Sequence, residues 1–236
     1  MNCIVLDQGN TSLKWGLFEK KCLVESGRIL NQNLRLELNQ LHSKHKLPFF
    51  YSSVRSTAEQ TEFLNEFSFC RIVPKENFPS YQYISGVAGN DRLANVAGAF
   101  KILDGSESLI VDFGTCITYS VAQNKALVSG VISLGVQSRL RAMHEFTGQL
   151  PLIAFSESAE PFQNSTEGAM LSSVNYGILS ELKGYIAWAF EHWPNISIVF
   201  TGTDATHFAK QLNYRIFVEL NLTLIGLYAI SCANES

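Results

Sequence analysis

Two short segments of the sequence place an aspartate, a glycine and a hydroxyl residue directly after an apolar run. They are residues 7–11 (DQGNT) and residues 112–115 (DFGT). A strand that ends in Asp-x-Gly turns tightly into the next strand, because glycine permits close backbone approach and positive φ. The following amides and the hydroxyl of Thr11 or Thr115 can donate to phosphate oxygens, and the aspartate can hold a cation. The pattern therefore predicts two phosphate-binding turns, with Lys14 within reach of the first.

One Asp-x-Gly alone is weak evidence for a phosphate site, because the same residues occur in ordinary β-turns. Two copies at equivalent places in one chain favour the phosphate-binding interpretation. Facing each other across a cleft, two such turns would clamp a triphosphate from both sides. The sequence has neither the G-x-x-x-x-G-K-[ST] pattern of a P-loop nor the dinucleotide-binding G-x-G-x-x-G. We therefore expect a nucleotide site that does not use a P-loop.

The chain repeats itself around these turns, since residues 4–27 align with residues 109–130. The alignment needs no gap at the turns: Asp7 aligns with Asp112, Gly9 with Gly114, and Asn10-Thr11 with Thr115-Cys116. Each copy has a short apolar strand, an alternating strand, a polar turn and a third strand. The repeat predicts a three-stranded meander in each half.

The remaining sequence predicts helices and short strands between the meanders. Apolar spacing and helix-ending residues indicate helices at 31–46, 89–103, 135–150 and 166–193, and strands at 48–53 and 196–201. Each half then follows the order β-β-β-α-β-α. We expect an α/β fold with two lobes, each containing a mixed sheet, around a cleft. The lobes are predicted at 1–105 and 106–236.

Composition narrows the possible partners. The 236 residues carry a formal net charge of −3, so a basic surface for nucleic acid is not expected. No apolar run approaches the roughly 18 residues of a membrane span. The sequence has five cysteines, an odd number, and no C-x-x-C pair. This argues against a disulfide framework or a zinc site and fits a reducing cytoplasm.

Several segments together are similar to a known family. They are 7–14 (DQGNTSLK), 89–92 (GNDR), 112–118 (DFGTCIT), 130–135 (GVISLG), 147–151 (TGQLP), 165–169 (STEGA) and 201–205 (TGTDA). In this order they resemble the motifs of type III pantothenate kinases, from about residue 3 to about residue 225. Each motif alone is short, and their shared order and spacing make the resemblance specific.

The resemblance implies a fold and an activity. The fold is the duplicated ribonuclease-H-like architecture of actin, sugar kinases and heat-shock ATPases. The activity is transfer of the γ-phosphoryl group of ATP to pantothenate, the first committed step toward coenzyme A. The resemblance further implies Mg²⁺, a monovalent cation (K⁺ or NH₄⁺) and a homodimer.

The resemblance also assigns roles to individual residues. Asp91 is the catalytic base, at a helix start that favours its ionised form; the structural alternative is a helix N-cap. Arg92 binds the pantothenate carboxylate through a bidentate contact; the alternative is a solvated helix arginine. Thr166 hydrogen-bonds the substrate, or caps the long helix instead.

The other assigned positions fall into three groups. ATP is expected at Asp7, Gly9, Asn10, Thr11, Lys14, Gly114 and Thr115. Pantothenate is expected at Tyr83, Gly89 and Asn90 as well as at Asp91, Arg92 and Thr166. Asp112 would hold the monovalent cation, and Asp7 would hold Mg²⁺, directly or through water.

The chain departs from the family pattern at four positions: Gln8, Ser120, Leu134 and Thr203. Ser120 stands where the family commonly has a second aspartate, so a weaker cation site is expected. Thr203 replaces a glycine of the family's T-G-G, and its β-branched side chain is expected to crowd the nucleotide or change the turn. None of the four removes Asp91 or the Asp-x-Gly turns.

Two competing functions stay open. One is a kinase of the same fold for another small alcohol or sugar, since fold does not determine substrate. Arg92 and Thr166 favour a substrate with a carboxylate over a neutral sugar. The other is a catalytically silent paralogue that binds nucleotide and regulates another protein; it would transfer no phosphoryl group even with saturating ATP, Mg²⁺ and K⁺.

Overall fold

The chain forms two compact units in a computed structural model that describes residues 1–81, 88–105, 107–157 and 160–232. The first unit combines Met1–Gly105 with Gln123–Val128 and the chain from Asn221 onward. The second comprises Ser106–Ala122 and Ser129–Leu220. Each unit has its own sheet and its own helices.

The first unit is built on a mixed five-stranded sheet. In chain order its elements are β1 (Cys3–Gln8), β2 (Ser12–Glu19), β3 (Cys22–Leu30), α1 (Leu34–His45), β4 (Phe49–Ser53), α2 (Thr57–Glu66), β5 (Cys70–Ile72), β6 (Ser80–Tyr81) and α3 (Asn90–Ile102). Single 3₁₀ turns lie at Asn31–Asn33 and Lys75–Asn77. The strand order is β3-β2-β1-β4-β5, with β1 to β3 antiparallel and β4 and β5 parallel to β1.

Strand β1 occupies the centre of this sheet because all six of its residues are buried. A continuous buried run is typical of a strand whose two faces are both covered. Its parallel pairing with β4 sets Gln8 opposite Ser53. The end of β4 and the residues after it therefore lie beside the turn that follows β1.

The second unit repeats this arrangement. Its elements are β7 (Ser108–Phe113), β8 (Cys116–Gln123), β9 (Ala126–Leu134), α4 (Val136–Glu145), α5 (Thr166–His192), β10 (Ser197–Gly202), α6 (Ala205–Ala209) and β11 (Ile216–Val218). The strand order is β11-β10-β7-β8-β9-β6, in which the short β6 pairs in parallel with Ala126 and Leu127 at the start of β9, residues that also belong to the first unit. Strands β7 and β8 are antiparallel, and β10 and β11 are parallel to β7. Both sheets thus carry a meander on one side of a central strand and two parallel strands on the other. The predicted duplicated, ribonuclease-H-like α/β fold is confirmed.

The last helix, α7 (Leu222–Ser231), packs on α3 of the first unit. The two backbones approach so closely that a Cβ on Gly226 would overlap the carbonyl oxygen of Ala94. The hydroxyl of Thr223 donates to the buried Asn95 Oδ1 at 2.7 Å. These contacts fix α3. Because α7 groups with the first unit, the two units are not two successive halves, and the division into lobes 1–105 and 106–236 stays a prediction.

The four predicted helices are present with shorter bounds. The segment predicted as 135–150 ends as a helix at Glu145, and the long helix ends at His192, before Pro194. Helix α2 was not predicted. Its sequence signal is a capping box, in which the Ser56 side chain accepts from the Glu59 N–H and the Glu59 carboxylate accepts from the Ser56 N–H.

All five cysteines lie in the described residues, where none forms a disulfide. Burial raises the pKa of the Cys70 thiol to about 12. Among the helices of the described residues, none has the length and apolar character needed to cross a membrane.

Candidate active site

The first Asp-x-Gly segment forms the hairpin turn between β1 and β2. Three residues, 9–11, make the turn, and the Gly9 N–H donates to the Ser12 carbonyl at 3.0 Å. Asp7 is 8% exposed, and its register partner on β2 is Lys14. Directly opposed residues of an antiparallel pair have their side chains on the same face. A carboxylate and an ammonium group therefore stand on one face beside the turn.

Side chains from outside the hairpin hold the carbonyls of this turn. Arg55 donates through Nε to the Gly9 carbonyl at 3.3 Å and through Nη2 to the Asn10 carbonyl at 3.2 Å. The Asn31 side chain also donates to the Asn10 carbonyl, at 3.2 Å. Sequence analysis missed both residues. No local pattern marks Arg55, which lies 46 positions after Gly9 and reaches it through the parallel pairing of β1 with β4.

Gln8, a departure from the family pattern, has a structural partner. Its side chain is buried and its Oε1 accepts a hydrogen bond from the hydroxyl of Tyr51, which is also buried. Burial raises the pKa of Tyr51. The Gln8 carbonyl accepts from the Ser53 hydroxyl at 3.3 Å. Gln8 therefore satisfies buried polar groups between β1 and β4.

The GNDR segment forms the start of α3. Gly89 is the N-cap residue and Asp91 lies in the first turn, so the alternative that Asp91 is the N-cap is wrong. The Asp91 Oδ1 accepts from the Arg92 backbone N–H at 2.8 Å. A Cβ on Gly89 would stand 2.5 Å from this oxygen, so glycine leaves the carboxylate its space. Arg92 is only 7% exposed, which excludes the alternative of a solvated arginine.

The start of α3 and the first turn meet at the end of β4. Asn90 donates through Nδ2 to the Ser53 carbonyl at 3.3 Å, while the Ser53 hydroxyl donates to the Gln8 carbonyl. The predicted ATP residues of the first turn and the GNDR segment are thus gathered at one edge of the first unit. Tyr83 lies outside the described residues.

The second Asp-x-Gly segment forms the hairpin turn between β7 and β8. Here only residues 114 and 115 make the turn, and the Gly114 N–H donates to the Cys116 carbonyl at 3.0 Å. The register partner of Asp112 is Thr118. The first turn is therefore one residue longer, and the gapless alignment of Asn10-Thr11 with Thr115-Cys116 is wrong beyond the glycine.

Two backbone N–H groups and one side-chain hydroxyl hold the second turn. The Thr115 carbonyl accepts from the Gly135 N–H at 2.9 Å and from the Ser138 hydroxyl at 2.7 Å. The Phe113 carbonyl accepts from the Thr203 N–H at 3.0 Å. A Cβ on Gly135 would overlap the Gly114 carbonyl oxygen and lie 2.7 Å from the Thr115 carbonyl oxygen. The start of α4 therefore packs directly on this turn.

The other departures fit their surroundings. Ser120 is buried on β8, opposite Ile110. Leu134 ends β9, and its carbonyl accepts from Arg139 Nε at 2.8 Å. In the turn after β10 the left-handed residue is Gly202, with φ of +91°. Thr203 follows it with an exposed side chain, so a glycine at 203 is not needed for this turn.

Thr166 is the first residue of α5 and is exposed. The N-cap is Ser165, whose hydroxyl accepts from the Gly168 N–H at 3.1 Å. The alternative that Thr166 caps the helix is therefore wrong. Its hydroxyl does not serve as the cap of α5.

A cavity of about 560 Å³ in the second unit lies beside a charged cluster that sequence analysis did not identify. Glu181, on its wall, accepts from the Tyr119 hydroxyl at 2.9 Å and from Arg139 Nη2 at 2.6 Å. Burial, with Glu181 as a second cause, raises the pKa of Tyr119. The members come from β8, α4 and α5, so only the tertiary structure reveals them.

Comparisons with known proteins agree with this architecture. Residues 3–188 match the family model described as type III pantothenate kinase. A type III pantothenate kinase from Flavobacterium psychrophilum is 32% identical over 231 residues, covering 95% of this chain and 96% of the relative.

Solved structures share the fold. One, from Campylobacter jejuni and assigned to the Baf family of transcriptional activators, superposes with a TM-score of 0.67 at 19% identity and covers 98% of both chains. The activator of 2-hydroxyisocaproyl-CoA dehydratase from Clostridium difficile, solved with bound ADPNP, has a TM-score of 0.54 at 14% identity and covers 100% of this chain and 96% of that one. These identities bear on the fold alone. The match over most of the chain shows that this protein belongs to the type III pantothenate kinase family.

Proposed function

We propose that this protein transfers the γ-phosphoryl group of ATP to the primary hydroxyl of pantothenate. The observation that supports this most is the pair of Asp-x-Gly hairpin turns at equivalent places in two equivalent sheets. Membership of the type III pantothenate kinase family supports the choice of substrate.

The two turn glycines fit a phosphate ligand. Positive φ was expected for Gly9, but it is not among the left-handed glycines. The nearest atoms to a Cβ would be 3.6 Å away at Gly9 and 3.5 Å away at Gly114, so the fold itself has room for a side chain. A ligand that approaches the backbone closely accounts for both glycines.

Asp91 is the proposed catalytic base. When Mg·ATP is bound, ATP supplies the phosphoryl group and Mg²⁺ neutralises part of the charge on the phosphates. Asp91 lies in the first turn of α3, where the helix dipole and the Arg92 N–H favour the carboxylate anion. The anion accepts the proton of the substrate hydroxyl as the hydroxyl oxygen bonds to the γ-phosphorus and ADP leaves. Lys14 and the amides of the first turn orient the phosphates.

Arg92 is the proposed partner of the substrate carboxylate. A guanidinium group binds a carboxylate through two parallel hydrogen bonds, and burial strengthens such a pair. Arg92 is 7% exposed, so it meets the requirement for a shielded site. Thr166, an exposed residue, is proposed to add a hydrogen bond to the same substrate. This pairing favours pantothenate over a neutral sugar.

Three further properties are part of the proposal. Asp112 holds a monovalent cation, K⁺ or NH₄⁺, and Asp7 contributes to Mg²⁺ binding, directly or through water. The protein acts as a homodimer. A cytoplasmic location is proposed from the odd number of cysteines and the lack of a C-x-x-C pair in the sequence. A comparison of the activity in K⁺ with the activity in Na⁺ tests the cation requirement. The molecular mass of the protein in solution tests the homodimer.

The decisive experiment incubates the purified protein with ATP, Mg²⁺, K⁺ and pantothenate and measures phosphopantothenate by mass spectrometry. The Asp91→Asn variant should lose about 10²–10⁴-fold in kcat, the usual contribution of a positioned base. The matched control is Asp104→Asn, beyond the other end of α3, at a left-handed position (φ of +50°) that asparagine adopts as readily.

Each outcome separates the possibilities. Product from the wild type and a large loss in Asp91→Asn alone support both the function and the base. Equal activity in Asp91→Asn rejects Asp91 as the base and keeps the kinase. No product from a wild type that binds ATP rejects pantothenate phosphorylation, and leaves another alcohol or a silent regulator.

A further inference from the structure

We propose that Arg55 is the positioning residue of the nucleotide turn: its guanidinium group holds the carbonyls of Gly9 and Asn10, so that the amides following them face the phosphates. This inference rests on the proposed nucleotide site and adds to it a residue outside every motif of the sequence. Arg55 orients the groups that bind ATP and does not itself bind the phosphates.

The direction of the amides follows from the two hydrogen bonds. In a trans peptide unit the carbonyl of one residue and the N–H of the next point in opposite directions. Arg55 binds the Gly9 and Asn10 carbonyls at 3.3 and 3.2 Å. The N–H groups of Asn10 and Thr11 therefore point away from the guanidinium, both to the same side. Two successive amides with one orientation form a concave anion site.

The guanidinium group is itself held in place. The Arg55 N–H donates to the Ser53 hydroxyl at 3.0 Å, and the Arg55 carbonyl accepts from Gln60 Nε2 at 2.7 Å. The Glu59 carboxylate lies 3.8 Å from Nη1, and the side chain is 21% exposed. A side chain fixed at its backbone and at its charged end loses little further freedom when it holds the turn.

Charge gives Arg55 a second effect on the same amides. A cation that donates a hydrogen bond to the carbonyl end of a peptide unit polarises that unit and makes its N–H end a stronger donor. The planar fork of arginine reaches two neighbouring carbonyls at once, which a lysine ammonium reproduces only in part. Loss of Arg55 should therefore weaken the binding of ATP more than it weakens the binding of the substrate alcohol.

The test measures steady-state kinetics and ADP binding by calorimetry for the wild type, Arg55→Met and Arg55→Lys. We expect the KM for ATP and the Kd for Mg·ADP to rise about 10- to 100-fold in Arg55→Met, since charge-assisted hydrogen bonds are lost. Arg55→Lys should recover part of this loss. The KM for pantothenate and the thermal midpoint should stay near the wild-type values.

Two control variants separate positioning from structure. Glu62→Gln removes an exposed carboxylate from the same helix, α2, and leaves Glu59, the carboxylate near Arg55, in place. Arg35→Met removes an exposed arginine whose partner is Glu66. Both should leave the KM for ATP unchanged.

The outcomes distinguish this inference from the proposed function. An unchanged KM for ATP and an unchanged Kd for Mg·ADP in Arg55→Met overturn the role of Arg55 while the kinase stands. A fall in kcat with equal changes in both KM values also overturns it, because that is the signature of general distortion. A wild type that binds Mg·ADP but phosphorylates no pantothenate, with binding lost in Arg55→Met, supports Arg55 and rejects the substrate. A wild type that binds no nucleotide overturns both.

Discussion

The turn after β1 and the turn after β7 begin with the same Asp-x-Gly, yet different groups hold them. In the first, the side chains of Arg55 and Asn31 bind the loop carbonyls. In the second, the Gly135 N–H and the Ser138 hydroxyl bind the Thr115 carbonyl. The first turn is one residue longer and faces a lysine across the hairpin, whereas the second is tighter and faces a threonine.

From this difference we infer different tasks for the two copies of the motif. The longer turn, with Lys14 and the polarised amides, suits the charged phosphates. The tighter turn is packed against the start of α4, so its shape is set by backbone contact. A duplicated element can therefore keep its fold while each copy changes its supporting residues, because the hairpin is local and its supports come from elsewhere in the chain.

The largest effect is expected for the backbone support of the second turn. Gly135→Ala places a Cβ against the carbonyl oxygens of Gly114 and Thr115, so the turn must move. We expect kcat/KM to fall by about 100-fold or more, as for a misplaced site, and stability to fall by about 1–3 kcal/mol. Kinetics and urea unfolding measure the two effects.

The matched control for that variant is Gly184→Ala. Gly184 lies inside α5 with no atom near the added Cβ, so alanine should stabilise the helix by about 1 kcal/mol. Wild-type activity in Gly135→Ala would show that the second turn tolerates movement, and would remove the structural contrast between the turns.

The next effect concerns the residues that face the two aspartates. Lys14→Met should raise the KM for ATP about 10- to 100-fold, the cost of a lost charge-assisted hydrogen bond. Thr118→Val, the equivalent change in the second turn, should change it by less than about 3-fold. Initial rates at varied ATP give both values, and similar losses in the two variants would contradict the division of tasks.

A smaller effect is expected from the glycines of the turns. Gly9→Ala and Gly114→Ala meet no atom of the protein within 3.4 Å, so the melting temperature should be unchanged. The added methyl group should obstruct the phosphates and raise the KM for ATP about tenfold, or ~1.4 kcal/mol. A loss of stability with an unchanged KM would assign these glycines to the fold instead of the ligand.

The smallest effect uses the thiol beside the second turn. Cys116 and Cys22 are both exposed, and only Cys116 adjoins an Asp-x-Gly turn. Mg·ATP should slow alkylation of Cys116 several-fold and leave Cys22, the internal control, unchanged; peptide mass spectrometry follows each site. Equal rates at Cys116 with and without nucleotide would place the second turn away from bound ATP.

Much of the fold could be predicted from local patterns. Alternation, apolar runs and Asp-x-Gly turns located both meanders, and Pro194 marked the end of α5. The capping box of α2 is also visible in the sequence. The return of α7 to the first unit was not predictable, because a helical pattern in residues 222–231 does not state which surface it covers; the close approach of Gly226 to α3 decides that.

The candidate site divides in the same way. The sequence by itself located the residues that are proposed to carry the chemistry, because each of their motifs depends on spacing within a few residues. They are the aspartates, the turn glycines, Lys14 and the GNDR segment. Only the tertiary structure decided what supports them. Arg55 reaches the first turn because the parallel register sets Gln8 opposite Ser53, and Gly135 reaches the second because α4 begins beside it. Such contacts depend on strand register and helix docking, which arise from packing of the whole unit and leave no local pattern in the sequence.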